Sequence, residues 1–138
     1  MPSLSELYLD QNQLTGPLQF QNISSSQLNT LRLSGNKLDG SVPRSIANFT
    51  KLQWLYLSSI NLKDKMELNI FFQVKELQFL DLSVNNLLVS KGNINSSLHK
   101  FSYLLLICLR IDNWTSYWVF CHLKKDNLVC EKFWSALT

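Results

Sequence analysis

Five times along the chain an eleven-position pattern returns, L-x-x-L-x-L-x-x-N-x-L, with starts at residues 4, 28, 52, 77 and 101. Leu4, Leu7, Leu9, Asn12 and Leu14 fill it first, then Leu28, Leu31, Leu33, Asn36 and Leu38, and in the fourth copy Leu77, Leu80, Leu82, Asn85 and Leu87. The third copy keeps Leu52, Leu55, Leu57 and Leu62 but has Ile60 at the asparagine place, with Asn61 one position late. The fifth is looser: Phe101, Leu104, Leu106 and Ile111, with Leu109 where Asn belongs. The spacings are 24, 24, 25 and 24 residues, a register that chance does not hold over four intervals. Such a period marks a chain of stacked units, none of which can bury its own apolar side alone. The 27 leucines and 13 asparagines among 138 residues follow from it, because each copy uses both residue types for a fixed task.

The L-x-L centre alternates, so its two leucines point to one side of a short strand. Strands of successive coils then pair into a parallel sheet, and the remaining leucines complete an apolar wedge within the coil. The asparagine stands where the chain leaves the strand. Its amide can both donate to and accept from backbone groups that lack a ladder partner. Asn12, Asn36 and Asn85 are expected to form a structural asparagine ladder, weakened where Ile60 interrupts it. Gly16-Pro17-Leu18 and Gly40-Ser41-Val42-Pro43 supply turn residues at one phase of the repeat. Ile46 and Phe49, and in the third coil Leu68, Ile70, Phe71 and Phe72, are expected to pack on the return side. The pattern predicts an α/β solenoid over residues 1–111, its parallel sheet on the concave face and an irregular, 3-10 or short helical convex side. Residues 112–138 read as a non-repeat tail of frameshifted or intron-derived character, with a genuine C-terminal cap as the alternative, and hold three of the four tryptophans.

The concave face is the default binding surface of a solenoid. The x positions beside the strand leucines point there and stack by phase into rows: Glu6, Thr30, Trp54, Phe79, Tyr103; then Tyr8, Arg32, Tyr56, Asp81, Leu105; then Asp10, Ser34, Ser58, Ser83, Ile107. Trp54, Tyr56 and Phe79 are expected to form one exposed aromatic patch. Arg32 lies beside Tyr56, placed to clamp a carboxylate through both arms of its guanidinium. With Asp81 and Tyr103 these are the candidate ligand contacts, since aromatic residues and arginine dominate interface hot spots. Sequons at Asn22, Asn48, Asn95 and Asn113 are candidate glycosylation sites and favour a secretory setting.

Other classes find little support. The net charge of +3 is scattered, with Lys124-Lys125 the one basic pair, so no nucleic-acid partner is expected. There is no G-x-S-x-G, no H-E-x-x-H and no phosphate-cradling glycine loop, so no enzyme and no cofactor are expected. Cys108, Cys121, His122 and Cys130 lack the close pairing of zinc ligands. Three cysteines give no readable disulfide framework. No apolar run approaches the ~18 residues of a membrane span, and the N-terminus lacks the features of a signal peptide.

Leu38-Asp39-Gly40-Ser41-Val42-Pro43-Arg44-Ser45-Ile46-Ala47-Asn48-Phe49 resembles the plant extracellular leucine-rich repeat, L-x-G-x-I-P-x-x-I-x-x-L. Leu80-Asp81-Leu82-Ser83-Val84-Asn85-Asn86-Leu87 and Asn22-Ile23-Ser24-Ser25-Ser26-Gln27-Leu28 are similar to that family too. The resemblance covers roughly residues 1–111 and is closest to receptor-like proteins, including disease-resistance receptors. It implies a right-handed leucine-rich-repeat solenoid in a cell-surface glycoprotein of defence or signal perception. Its partners would be a peptide, glycan or protein ligand and a co-receptor, met at the plasma membrane's outer face or in the apoplast. Such receptors carry more repeats, with terminal caps and a membrane anchor, so the chain reads as a truncated fragment. Two alternatives stay open: a secreted inhibitor of a microbial cell-wall-degrading enzyme, and a truncated product without function.

Overall fold

The computed structural model describes residues 4–21, 27–63 and 69–85 with their side chains. It describes the strand segments 65–66, 88–89, 103–105, 110–111, 117–124 and 127–134 as backbone. Each L-x-L centre forms a three-residue strand: β1 (Glu6–Tyr8), β3 (Thr30–Arg32), β5 (Trp54–Tyr56), β7 (Phe79–Asp81) and β9 (Tyr103–Leu105). These pair in chain order as a five-stranded parallel sheet. Leu7, Leu31, Leu55, Leu80 and Leu104 stand in one register line, as the spacing requires. A one-residue slip would send every leucine of a strand to the other face, so burial and register enforce each other. Leu55, Leu57, Leu80 and Leu82 are fully buried, whereas Leu7 and Leu9 of the first coil are only half-buried.

A second set of short parallel strands runs through the stretch after the asparagine. β2 (Thr15–Pro17) pairs with β4 (Lys37–Asp39), Gly40 bridges Leu62, and β6 (Lys65–Met66), β8 (Leu88–Val89) and β10 (Arg110–Ile111) form a three-stranded sheet. The residues expected as turns, Gly16-Pro17 and Gly40, are therefore ladder members. Gly16 (φ 90°) and Gly40 (φ 83°) adopt backbone conformations that side chains disfavour. Pro17 sits at the end of a strand whose paired neighbour is β4, where its missing N–H costs little.

The return side is a 3-10 turn at Arg44–Asn48 in the second coil and a single helical turn, α1 (Asn69–Phe72), in the third. Ile46, Phe49, Phe71 and Val74 seal the core there, and Phe20 meets Phe49 edge to face at 5.1 Å. Leu68, Leu87, Phe101, Leu106 and Leu109 lie outside the described residues. Beyond the repeat, β11 (Tyr117–Lys124) and β12 (Asn127–Trp134) form an antiparallel hairpin.

One backbone feature repeats with the coils. The residue before the asparagine place has positive φ every time: Gln11 (54°), Gly35 (71°), Ser59 (51°) and Val84 (54°). Left-handed geometry turns the chain out of the strand. The first three still donate their N–H across to the next coil, to the carbonyls of Ser34, Ser58 and Ser83 at 2.9, 3.0 and 3.1 Å. Stacking imposes this conformation, since four different residue types accept it.

Candidate functional site: the outer face of the sheet

Behind the face, the asparagines serve the coil that precedes them. Asn36 Oδ1 accepts from the Leu14 N–H at 3.1 Å, and its Nδ2 donates to the Leu9 and Leu33 carbonyls at 2.8 Å each. Asn85 Oδ1 accepts from both Ile60 and Leu62 N–H at 3.1 Å, and its Nδ2 donates to Leu57 O (2.7 Å) and Leu82 O (3.1 Å). Asn12 differs from its expected role. It is exposed and donates locally to Leu9 O and Asp10 O. Ile60, fully buried, supplies no amide to the second coil, and Asn61 turns outward with φ 63°.

On the face itself, register brings Glu6, Thr30, Trp54 and Phe79 into one row and Tyr8, Arg32, Tyr56 and Asp81 into the next. Phe79 is the hub of the aromatic patch. It stacks on Trp54 at 5.4 Å between centroids and meets Tyr56 at 4.6 Å. Trp54 is 36% exposed, and Tyr56 and Phe79 are half-buried. Arg32 extends the run: its guanidinium carbon lies 4.8 Å from the centre of the Tyr56 ring and 5.5 Å from that of Tyr8. Tyr8, Arg32, Tyr56, Phe79 and Trp54 are thus a continuous stack of π and cation–π contacts across four strands.

The arginine is not free, as the carboxylate-clamp expectation assumed. Its Nε lies 2.7 Å from Asp10 Oδ2. The contact lacks the angle of a hydrogen bond, and Asp10 Oδ1 is buried without a hydrogen-bond partner. The attraction is therefore coulombic, worth no more than about 1 kcal/mol with Arg32 this exposed. Asp81 is engaged too, its Oδ1 accepting from Ser83 N (2.9 Å) and Ser83 Oγ (2.6 Å). In the third row Ser58 Oγ donates to Ser34 Oγ at 2.9 Å, which joins the hydroxyls of the second and third coils. The Tyr8 hydroxyl donates to Glu6 Oε2 at 2.8 Å, and that bond, with a smaller desolvation effect, raises the phenol above its ordinary range. Tyr103 stands in register with Phe79, and its side chain lies outside the described residues.

Asn48 is exposed at the end of the 3-10 turn that forms the return stretch of the second coil. Asn22, Asn95 and Asn113 lie outside the described residues. Among the described residues no three His, Cys, Asp or Glu gather as metal ligands, and no helix is long and apolar enough to cross a membrane. The pairings Arg32–Asp10 and Tyr8–Glu6 went unread in the sequence. The rows alone held that signal, with Asp10 and Glu6 each set beside its partner's column.

The leucine rich repeat family matches residues 2–62. Over 97 residues the chain is 37% identical to "Receptor like protein 24" of Arabidopsis thaliana, a match that covers 70% of this chain and 11% of that protein. It is also 37% identical over 113 residues to "Receptor-like protein EIX1" of Solanum lycopersicum, covering 75% of this chain and 10% of that one. The chain therefore spans about a tenth of the length of these relatives. A solved structure described as "Plant peptide hormone receptor RGFR1 in complex with RGF2" superposes with a TM-score of 0.68 at 27% identity, over 78% of this chain and 17% of the receptor.

Proposed function

As a stretch of plant leucine-rich-repeat solenoid of the receptor-like type, this chain exposes one side of a parallel sheet, and we propose that this face binds a peptide, glycan or protein ligand in cell-surface perception. Arg32, Trp54, Tyr56, Phe79, Asp81 and Tyr103 are the proposed contacts, within a solenoid taken as residues 1–111. The carrying observation is the continuous aromatic and guanidinium stack across four strands, open on its outer side. Rigid stacked rings offer large contact area at low conformational cost, which is what a binding hot spot needs. A face serving only as cover would need no such run, because single scattered apolar residues suffice there.

Binding would rest on surface complementarity without bond chemistry. The relatives' names support a receptor at the outer side of the plant cell, and the complex of a peptide hormone receptor with its peptide supports a peptide ligand. A co-receptor would then meet a part of the assembly beyond this face. Asn48, exposed on the return stretch, could carry a glycan without obstructing it.

The test is selection of ligands from displayed random peptides and from an oligosaccharide array. It compares the full chain with a variant carrying Trp54→Ala, Tyr56→Ala and Phe79→Ala. Ligands retained by the native chain and lost from the variant are expected. Equal retention by both would refute the assignment of the face.

A further inference from the structure

The row Glu6, Thr30, Trp54 is uneven, and its shape selects a chemistry. Register places the three residues level with one another on adjacent strands. Phe79 covers one broad face of the Trp54 indole, at 5.4 Å and 28° between planes. The other face therefore turns toward the second coil. Level with it on that neighbouring strand stands Thr30, a short side chain, 9% exposed, whose hydroxyl donates back to Asn29 Oδ1 at 2.9 Å. Beyond Thr30 stands the Glu6 carboxylate of the first coil, held by the Tyr8 hydroxyl. Two strand spacings separate Glu6 from Trp54, about 10 Å. Less the thickness of a ring and of a carboxylate, that step admits one extended side chain. Its floor is Thr30, one wall is a π face and the opposite wall is an anion.

We propose that this step takes the cationic end of a lysine or arginine side chain from a peptide partner. The proposal rests on the reading of the face as the binding surface and names what one position of that surface selects. A cation against an indole face gains from the ring quadrupole, and the same group forms charge-assisted hydrogen bonds to Glu6. An anion would meet Glu6 with like charge. An apolar side chain would desolvate the carboxylate without replacing its hydrogen bonds.

Charge balance points the same way. Among the described residues the face carries the carboxylates of Glu6, Asp10 and Asp81 against the guanidinium of Arg32. Arg32 is drawn to Asp10 and packed against Tyr8 and Tyr56, and among the described residues no lysine or arginine forms an ion pair with Glu6. The cation that Glu6 lacks within this part of the chain is the one a partner can bring.

The experiment uses the full chain, a displayed library of random linear peptides, and sequencing of the retained pool. Lysine or arginine should be enriched at one position on the native chain, and Glu6→Gln should abolish that enrichment. The best peptide should bind Glu6→Gln at least about tenfold more weakly. Replacing its basic residue by norleucine should cost the same factor on the native chain and little on Glu6→Gln, a cycle that a general loss of folding does not produce. Arg44→Gln, exposed on the return side, should bind as the native chain does. Peptides retained without a basic preference, or retained equally by Glu6→Gln, would overturn this inference and leave the assignment of the face intact. Peptides retained equally by the triple aromatic variant would overturn both.

Discussion

Replacing Asn85 by alanine should be among the most damaging single polar-to-alanine changes in the described solenoid. Asn85 is buried, and its Oδ1 is the acceptor for two backbone donors, Ile60 N–H and Leu62 N–H, both at 3.1 Å. Alanine leaves both without that acceptor in a place water does not reach. Each orphaned donor costs about 1–3 kcal/mol. The Leu57 carbonyl also loses its 2.7 Å donor from Nδ2. A total of about 3–5 kcal/mol follows, within the range of large single-site effects. Asn36→Ala removes the acceptor of one cross-coil donor, Leu14 N–H, and should cost about 1–3 kcal/mol. Asn12→Ala exposes nothing buried and should stay within about 0.5 kcal/mol. Denaturant melts of the three variants should rank Asn85, Asn36, Asn12. Amide hydrogen exchange should quicken at Ile60 and Leu62 in the first variant, and not at Leu14. Equal costs for Asn85 and Asn12 would refute the claim that these amides close the preceding coil.

Three further outcomes are expected. Val84→Gly should raise the melting temperature, because a β-branched residue at φ 54° carries about 1–2 kcal/mol of strain and glycine returns about 0.4–1 kcal/mol of that as chain entropy; the side chain is 57% exposed, so little burial is lost, and a lowered melting temperature would contradict this. Leu55→Ala and Leu80→Ala, at fully buried sites, should each cost about 2–5 kcal/mol by denaturant melts, and a cost near zero would mean the register is wrong. Tyr8 should ionise above its ordinary range in a spectrophotometric titration, and Glu6→Gln should bring it down. The sign follows from the fold favouring the protonated phenol: that contribution is complete below the unfolded pKa and fades as pH rises through the raised one, so its loss is confined to strongly alkaline solution.

The register of the coils was legible because burial and backbone pairing both depend on it. Leu31, Leu55 and Leu80 could not move by one position without exposing a whole strand. The rows of the sheet face followed from the same arithmetic. What the side chains do to one another did not. Arg32 sits beside Asp10 and Tyr56 in the rows, yet whether it points to solvent or folds onto its neighbours depends on torsions that spacing leaves open. The second set of strands was missed because glycine and proline at Gly16-Pro17 signal a turn by composition, whereas the neighbouring coil supplies a ladder partner in β4. The hairpin of β11 and β12 had a signal that went unread. Two aromatic and β-branched runs flank the two-residue spacer Lys125-Asp126, a pattern that favours antiparallel return.

The asparagine bonds also give the molecule a direction in time. Leu9 O and Leu14 N–H wait for a partner that lies 27 and 22 residues downstream, and Leu57 O for one 28 residues downstream. During synthesis, the amide that satisfies these groups is translated only when the next coil's strand is already made. The first and third coils are thus finished by an asparagine of the coil that follows, Asn36 and Asn85. Growth from the N-terminus proceeds with the newest coil always open, its polar backbone wet until the following turn arrives. Deleting a coil that carries such an asparagine should therefore loosen the one before it more than the one after.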